Sequence, residues 1–223
     1  IWEGGNNDLP FLKPGLLVVL VDALRPDQTE SHHPGEAVLR MADVALIAKS
    51  DAATPEQVEE ARAGIAHLRP DLPIVLGASP ITLADPAAVK GRRVLVVEDG
   101  PTVTHGGMGY GAGLVAVRDL AAAIVDPRPF AAPEIAAAYA KYPQIGPVLP
   151  ALGYGAAQRQ ALEETINRSD AEVVVVATPI DLGALLKIDK PLVRACYDFA
   201  DGDGPPLSGF VEAFLQRAGL AHQ

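Results

Sequence analysis

Cysteine and long apolar runs are scarce in this chain of 223 residues. Cys196 is the single cysteine, which excludes an internal disulfide. No segment joins a basic start, an apolar run and a cleavage site, so no secretory signal is recognised and a cytoplasmic location is expected. The longest apolar stretch, residues 16–21, is far shorter than the roughly 20 residues of a membrane-spanning helix. It predicts a buried strand, and no membrane partner is expected.

Basic residues are fewer than acidic ones in this chain. Lys and Arg number 18 against 28 Asp and Glu, which gives a net charge of −10. Such a balance repels polyanions unless the basic residues are concentrated locally, and the sequence has no basic stripe. Nucleic acid is therefore not an expected partner. Hydrophobic residues make up 49% of the chain, enough to bury a substantial core, which excludes a disordered chain.

Two nucleotide-binding fingerprints are also absent. No strand is followed by G-x-G-x-x-G and a helix, which argues against a Rossmann oxidoreductase. No loop with a phosphate-cradling lysine of the G-x-x-x-x-G-K-[ST] type is present. The chain begins with Ile1 rather than methionine, and Ile1-Trp2 resembles the end of an apolar strand. We therefore expect the natural protein to begin further upstream.

Short apolar runs and helical patterns alternate along the chain. The strongest runs cover residues 16–21, 44–47, 74–76, 94–97 and 173–176, and weaker ones lie near 123–125, 148–149 and 192–193. Runs of this kind suit parallel strands covered on both faces. Helices are predicted from Thr54, where a capping box precedes an apolar stripe, and over 156–166 and 208–218. The sequence thus predicts an α/β fold with a mostly parallel, doubly wound sheet.

Polar residues follow the predicted strands. In a doubly wound sheet, ligands bind beyond the carboxyl ends of the strands, so these residues are candidates for a ligand site. Four consecutive strands are expected to aim polar groups at one edge of a single sheet. In chain order these groups are Asp22 and Arg25, Lys49 and Asp51, Ser79, and Glu98, Asp99 and Thr102.

Lys49 and Asp51 match the second half of the guanine-reading motif Asn-Lys-x-Asp. In that motif the carboxylate accepts hydrogen bonds from guanine, and the lysine stem lies over the base. The alternative is a solvated lysine beside a carboxylate that caps the following turn. Ala48 replaces the asparagine of the motif, so the choice of base stays open.

Residues 105–113 contain five glycines in nine positions and lead into a predicted helix over 114–123. Glycines before a helix let backbone N–H groups approach an anion, which favours phosphate binding at Gly106 and Gly107. A flexible lid is the alternative. The residues immediately upstream offer carboxylates for Mg²⁺, hydroxyls for phosphate oxygens and an imidazole for proton transfer. They are Glu98, Asp99, Thr102, Thr104 and His105.

Two further residues and one stretch have less specific patterns. Arg128 could clamp a phosphate or carboxylate, or it could pair with Asp126, its neighbour in the sequence. Cys196 is predicted to be a small core residue, because nothing beside it would lower the pKa of its thiol. The Ala-rich stretch 127–140 is predicted to be a surface excursion.

Several blocks together resemble the predicted GTPases related to cyclic 2,3-diphosphoglycerate synthetase. The blocks are residues 2–11, 34–36, 40–43, 98–102 with 104–106, and 178–182, and the resemblance covers nearly the whole chain. It implies a P-loop NTPase-like fold of which this chain lacks the N-terminal P-loop portion. It further implies phosphoryl transfer with Mg²⁺ and GTP or ATP, and it gives Glu3 the place of the acidic residue that supports the metal.

These observations predict a nucleotide-dependent phosphoryl-transfer enzyme, a GTPase or ligase, that acts on a small phosphorylated metabolite. Residues 1–90 are assigned to the second half of a nucleotide-binding domain and 91–223 to a substrate-binding region. The predicted catalytic residues are Glu3, Asp99 and His105; the predicted nucleotide-binding residues are Asp22, Lys49, Asp51 and Ser79; and the predicted substrate- or phosphate-binding residues are Arg25, Glu98, Thr102, Thr104, Gly106, Gly107 and Arg128. A non-catalytic regulatory domain that binds such a ligand is the alternative, and a homo-oligomer stays open.

Overall fold

The computed structural model of the chain describes residues 1, 4, 9, 11–32, 35–153 and 155–220. It contains two compact units. The first consists of Ile1–Pro80 together with Asp198–Gln223, and the second of Ile81–Tyr197. A division near residue 90 was expected from the sequence. The units instead divide at 80/81 and 197/198, because the last segment returns to the sheet of the first unit.

Strands and helices alternate over most of the described chain. From residue 18 to 78 they are β1 (Val18–Asp22), α1 (Gln28–Ser31), α2 (Gly35–Met41), β2 (Val44–Ala48), α3 (Pro55–Leu68) and β3 (Ile74–Ala78). From residue 81 to 151 they are β4 (Ile81–Leu83), α4 (Pro86–Val89), β5 (Arg93–Asp99), α5 (Gly100–Val103), α6 (Ala112–Val117), β6 (Ala123–Ile124), a 3₁₀ turn (Arg128–Phe130), α7 (Pro133–Lys141) and β7 (Leu149–Ala151). The remaining elements are α8 (Ala156–Arg168), β8 (Val173–Ala177), α9 (Leu182–Leu185), β9 (Leu192–Tyr197), β10 (Ala200–Asp201) and α10 (Leu207–Arg217).

The first unit is built on a sheet with the order β1-β2-β3-β10. Strands β1, β2 and β3 are parallel, so their carboxyl ends lie at one edge, while β10 is antiparallel to β3. Helix α3 begins with the predicted capping box at Thr54, and its side chains Ala61, Ile65 and Leu68 pack in the core beside Ile47. The other face of the sheet packs against residues of α10.

The second unit is built on a sheet with the order β4-β9-β8-β5-β6, in which β7 also pairs with β5. All of its strands run parallel except β4, which is antiparallel to β9. The valines of β5 and β8 are buried, as expected of central strands covered on both faces. From β5 the chain leads to β6 and β7 on one side, whereas from β8 it leads to β9 on the other. The carboxyl ends of β5 and β8 therefore flank a topological switch point.

The predicted α/β class and the mostly parallel pairing are confirmed. The expectation of one sheet edge is wrong, because the fourth predicted strand, β5, belongs to a second sheet. The Ala-rich stretch is not a surface excursion, since α7 buries Ile135, Ala138 and Tyr139. Cys196 is exposed rather than buried, because side chains alternate between the two faces along β9. No helix in the described ranges is long and apolar enough to cross a membrane.

Candidate functional site

Asp22 is the centre of a polar cluster at the carboxyl ends of β1 and β2. Its Oδ2 accepts hydrogen bonds from Lys49 Nζ at 2.7 Å and from Arg25 Nη2 at 2.8 Å, and its Oδ1 accepts from the Leu24 N–H at 3.0 Å. Burial alone would raise the pKa of Asp22, but the hydrogen bond and charge of Lys49, together with the hydrogen bonds of Arg25 and Leu24, outweigh it, so the pKa lies below its usual value. The structure thus brings three predicted site residues into direct contact.

Lys49 has an unusual backbone conformation. Its φ is +61°, and it is the single non-glycine residue with positive φ in the described ranges of the chain. In that conformation Cβ crowds the following carbonyl oxygen, which costs roughly 1–2 kcal/mol for residues other than glycine, asparagine and aspartate. Its carbonyl oxygen accepts hydrogen bonds from the amides of Ala52 and Ala53, which fixes the turn after β2.

Asp51 and Ser79 form a separate contact at the same edge of this sheet. The Ser79 amide donates to Asp51 Oδ1 at 2.8 Å, and the side chain of Ser50 donates to the Gly77 carbonyl at 3.1 Å. The Asp51 carboxylate therefore links the loops after β2 and β3. Neither alternative describes this contact, because Asp51 accepts from the Ser79 amide rather than capping the turn before Thr54, and the Lys49 ammonium is bonded to Asp22.

Glu98 holds the start of α6 in the second unit. Its Oε1 accepts from the amides of Gly111 at 3.0 Å and Leu114 at 2.8 Å, and its Oε2 accepts from Gly113 at 3.3 Å. The side chain is 1% exposed. Burial raises the pKa of Glu98 in spite of the three hydrogen bonds. Its carboxylate thus occupies the position at the helix start where the sequence predicted a bound phosphate.

Close packing accounts for the glycines around Glu98. A Cβ on Gly111 would lie 2.5 Å from Glu98 Oε2, one on Gly113 would lie 2.8 Å from Val96 Cγ1, and one on Gly106 would lie 2.6 Å from the Thr102 carbonyl oxygen. The amides of Gly106 and Gly107 donate to the carbonyls of Pro101 and Thr104. Their predicted role in phosphate binding is not supported by this geometry, since internal acceptors already bind them.

Asp99 and Thr178 lie at the switch point between β5 and β8. Glu98 and Ala177 are paired in the sheet, Asp99 is the last residue of β5, and Thr178 directly follows β8. Because side chains alternate along a strand, Asp99 belongs to the face opposite Glu98 and α6. No described residue donates a hydrogen bond to the half-buried Asp99 carboxylate, which does not cap α5. This carboxylate can therefore accept hydrogen bonds from a ligand.

The remaining predicted residues after β5 lie in and behind α5. The buried Thr104 side chain donates to the Gly100 carbonyl at 2.8 Å, and its Oγ1 lies 3.1 Å from Nδ1 of His105. The exposed His105 ring lies 6.1 Å, between centroids, from that of Tyr142. Thr102 is half-buried on α5 itself. Thr104 is thus a structural residue, whereas His105 and Thr102 are accessible.

The Arg128 side chain is held by contacts with three neighbouring residues, Asp126, Ile145 and Tyr139. It makes two hydrogen bonds to Asp126, at 3.0 and 3.1 Å, and it donates to the Ile145 carbonyl. Its guanidinium carbon also lies 4.6 Å from the centre of the Tyr139 ring. The Tyr139 hydroxyl donates to the Val148 carbonyl at 2.7 Å, and burial raises the pKa of that hydroxyl. The alternative of pairing with Asp126 is confirmed for Arg128.

The predicted metal residue Glu3 lies outside the described residues. Among the residues that the structure describes, no group of three or more His, Cys, Asp or Glu side chains is arranged to hold a metal ion. Sequence reasoning did not select Thr178 as a site residue, although it directly follows the four valines of β8. Asp181 caps α9 by accepting from the Ala184 amide at 3.2 Å.

Comparison with known proteins overturns the family prediction. No family model matches the chain. A curated relative, the arginine synthetase ArcE of Thermococcus kodakarensis, is 47% identical over 218 residues, which cover 97% of this chain and 49% of the relative. The chain thus spans about half the length of the curated relative that it matches. That name points to a different activity, so the prediction of a GTPase related to cyclic 2,3-diphosphoglycerate synthetase is wrong.

Proposed function

We propose that this chain is part of an ATP-dependent ligase that forms arginine. The observation that supports this function is the 47% identity to a protein named arginine synthetase, which extends over 97% of the chain. A ligase of this type transfers a phosphoryl group from ATP to an oxygen of the acceptor. A nitrogen nucleophile then displaces phosphate and forms the new C–N bond, so that ADP and phosphate leave.

We place the amino-acid substrate at the switch point of the second unit. A planar guanidinium group is best recognised by a carboxylate that accepts two parallel N–H bonds, and Asp99 offers one that no described residue already occupies. Thr102 and Thr178 would add hydroxyl groups near the same strand ends. His105, exposed behind α5, is the candidate for taking the proton that the nitrogen nucleophile loses.

Mg²⁺ and ATP belong to this proposal. Magnesium in phosphoryl-transfer sites is held by one or two carboxylates together with phosphate oxygens. Asp22 does not fit such a role, because two cations already neutralise it, and Asp99 is assigned to the guanidinium. Binding of the polyphosphate requires cations or amides aimed at the transferring group.

The reverse reaction tests this function with defined compounds. We expect the full-length gene product to make ATP from ADP, phosphate and Mg²⁺ when arginine is added, because the forward and reverse reactions share one transition state. ATP is measured by luciferase. Parallel samples contain AMP with pyrophosphate in place of ADP with phosphate, or lysine in place of arginine in the same buffer.

ATP formation that requires arginine supports the ligase. Arginine binding without ATP formation in either nucleotide arm would instead favour the alternative of a regulatory domain that binds its ligand without chemistry. Formation of ATP at the same rate with lysine would contradict arginine as the product. Absence of both binding and turnover would refute the proposed function altogether.

A further inference from the structure

The carboxyl edge of the first sheet contains two cations that share one carboxylate. Lys49 Nζ and Arg25 Nη2 both donate to Asp22 Oδ2, at 2.7 and 2.8 Å. We propose that this cluster is a binding site for a phosphate group, in which Asp22 holds the two cations in place until the phosphate displaces it.

The charges of the cluster favour an anion. One carboxylate faces an ammonium and a guanidinium, so the three side chains together keep one positive charge. Their side chains are 20% (Asp22), 29% (Arg25) and 39% (Lys49) exposed, which leaves the cluster open to a ligand but shields it in part from solvent. Arginine and lysine are the residues that proteins use to bind phosphate, the first as a fork and the second as a point charge. A phosphate dianion carries more negative charge and more acceptor oxygens than the Asp22 carboxylate.

The backbone of Lys49 is a second, independent observation. The residue is held at a φ of +61° at the end of β2, a conformation that lysine rarely adopts. Conformations of this kind persist where the surrounding structure enforces them, and they occur preferentially at ligand sites. An ordinary surface ion pair contributes too little to stability to account for this cost. The positive φ brings the ammonium to the end of β1, where Asp22 and Arg25 lie.

The identity of the phosphate source is a separate question. We name the polyphosphate of ATP as the natural source on the strength of the proposed function, while inorganic phosphate needs no such assumption. The two sources share the same chemistry at Lys49 and Arg25. Titrations with each probe distinguish them, because ATP should bind more tightly than inorganic phosphate if the site receives part of a nucleotide.

The test uses two variants with opposite expected effects in the full-length gene product. Lys49→Asn removes the cation, and asparagine tolerates the positive φ, so the fold is not strained. We expect it to weaken phosphate binding at least about tenfold, because a charge-assisted hydrogen bond is lost. Asp22→Asn removes the internal competitor, and we expect it to tighten the binding of inorganic phosphate in the absence of Mg²⁺. Calorimetric titration at constant ionic strength gives both affinities.

A matched control and a site-resolved measurement complete the experiment. Arg40→Met removes a cation from a surface ion pair with Glu36 near the amino end of β2, at the opposite edge of the same sheet, and should leave the affinity unchanged. Chemical acetylation of lysines followed by mass spectrometry reports on Lys49 itself. Acetylation of Lys49 should become slower as phosphate is added, whereas acetylation of Lys90 should not change.

Wild-type affinity in Lys49→Asn, or weaker phosphate binding in Asp22→Asn, would overturn the site. Unchanged acetylation of Lys49 at saturating phosphate would do the same. The outcome is separable from that of the proposed function. Phosphate binding at Lys49 without arginine-dependent ATP formation would support the phosphate site and contradict the ligase function. Arginine-dependent ATP formation that is unchanged in Lys49→Asn would support the ligase function and contradict the phosphate site.

Discussion

Replacing Glu98 removes the acceptor of three backbone amides, one of them buried and two half-buried. In Glu98→Ala the amides of Gly111, Gly113 and Leu114 lose their partner, and a buried donor without an acceptor costs about 1–3 kcal/mol. Water entering the vacated space would satisfy part of this loss. We therefore expect the free energy of unfolding to fall by about 3–5 kcal/mol, a large effect for one substitution.

Glu98→Gln should cost less, for a reason visible in the contacts. The amides of Gly111 and Leu114 both donate to Oε1, which glutamine keeps as an acceptor. Only the longer bond from Gly113, at 3.3 Å, meets the amide nitrogen of the new side chain. The expected loss is about 1–2 kcal/mol. Urea denaturation measures the stability, and hydrogen exchange of residues 111–114 reports on the loop itself.

The pH dependence gives this prediction a sign. Burial raises the pKa of Glu98 above its ordinary 4.5, so the folded chain keeps the proton to a higher pH than the unfolded chain does. The stability that this proton contributes is complete below pH 4.5 and is lost as the pH rises through the raised pKa. Glutamine does not titrate, so the stability advantage of wild type over Glu98→Gln should shrink above pH 4.5. A stability difference between wild type and Glu98→Gln that does not change with pH would refute the assigned role of Glu98. Hydrogen exchange of residues 111–114 at the wild-type rate in Glu98→Ala would refute it as well.

Two further predictions concern packing in the second unit. In Gly100→Ala the new Cβ would lie 2.2 Å from the Ala151 carbonyl oxygen, so we expect the free energy of unfolding to fall by at least about 2 kcal/mol in thermal or urea unfolding. Gly209→Ala is the control, because Gly209 has open space around it in α10, and this variant should stabilise the chain by up to about 1 kcal/mol. Equal effects would contradict the close approach of the two loops. Tyr139→Phe should lower the free energy of unfolding by about 1–2 kcal/mol in the same assay, because the buried Val148 carbonyl loses its donor. Tyr110→Phe is the control, since Tyr110 is exposed, and an equal loss of stability in the two variants would contradict the Tyr139 hydrogen bond.

Local patterns in the sequence were enough to predict the class of the fold. The capping box at Thr54 marked the start of α3, and the valine runs marked β5 and β8, because these signals depend on residues close together in the chain. Strand pairing is not local. The pairing of β10 with β3 joins segments more than 100 residues apart, and no pattern within either segment indicates it. The division into two sheets was therefore missed.

The site was predicted in part for a similar reason. A carboxylate followed by a glycine-rich run suits either an external phosphate or an internal acceptor, and only the distances from Glu98 to three amides decide between them. Asp22, Arg25 and Lys49 were each selected as strand-end residues, but their mutual contact requires the parallel pairing of β1 with β2. Thr178 became a candidate only when the strand order placed β8 beside β5.

Arginine affinity of the Asp99→Asn variant tests most directly whether the switch-point crevice binds the product. Calorimetric titration of arginine into the full-length gene product should show binding that weakens at least about tenfold in Asp99→Asn, because the guanidinium loses its charged acceptor. Asp119→Asn is the matched control, since this exposed carboxylate follows α6 near the amino end of β5. Equal arginine affinity in wild type and Asp99→Asn would contradict the placement of the substrate between β5 and β8.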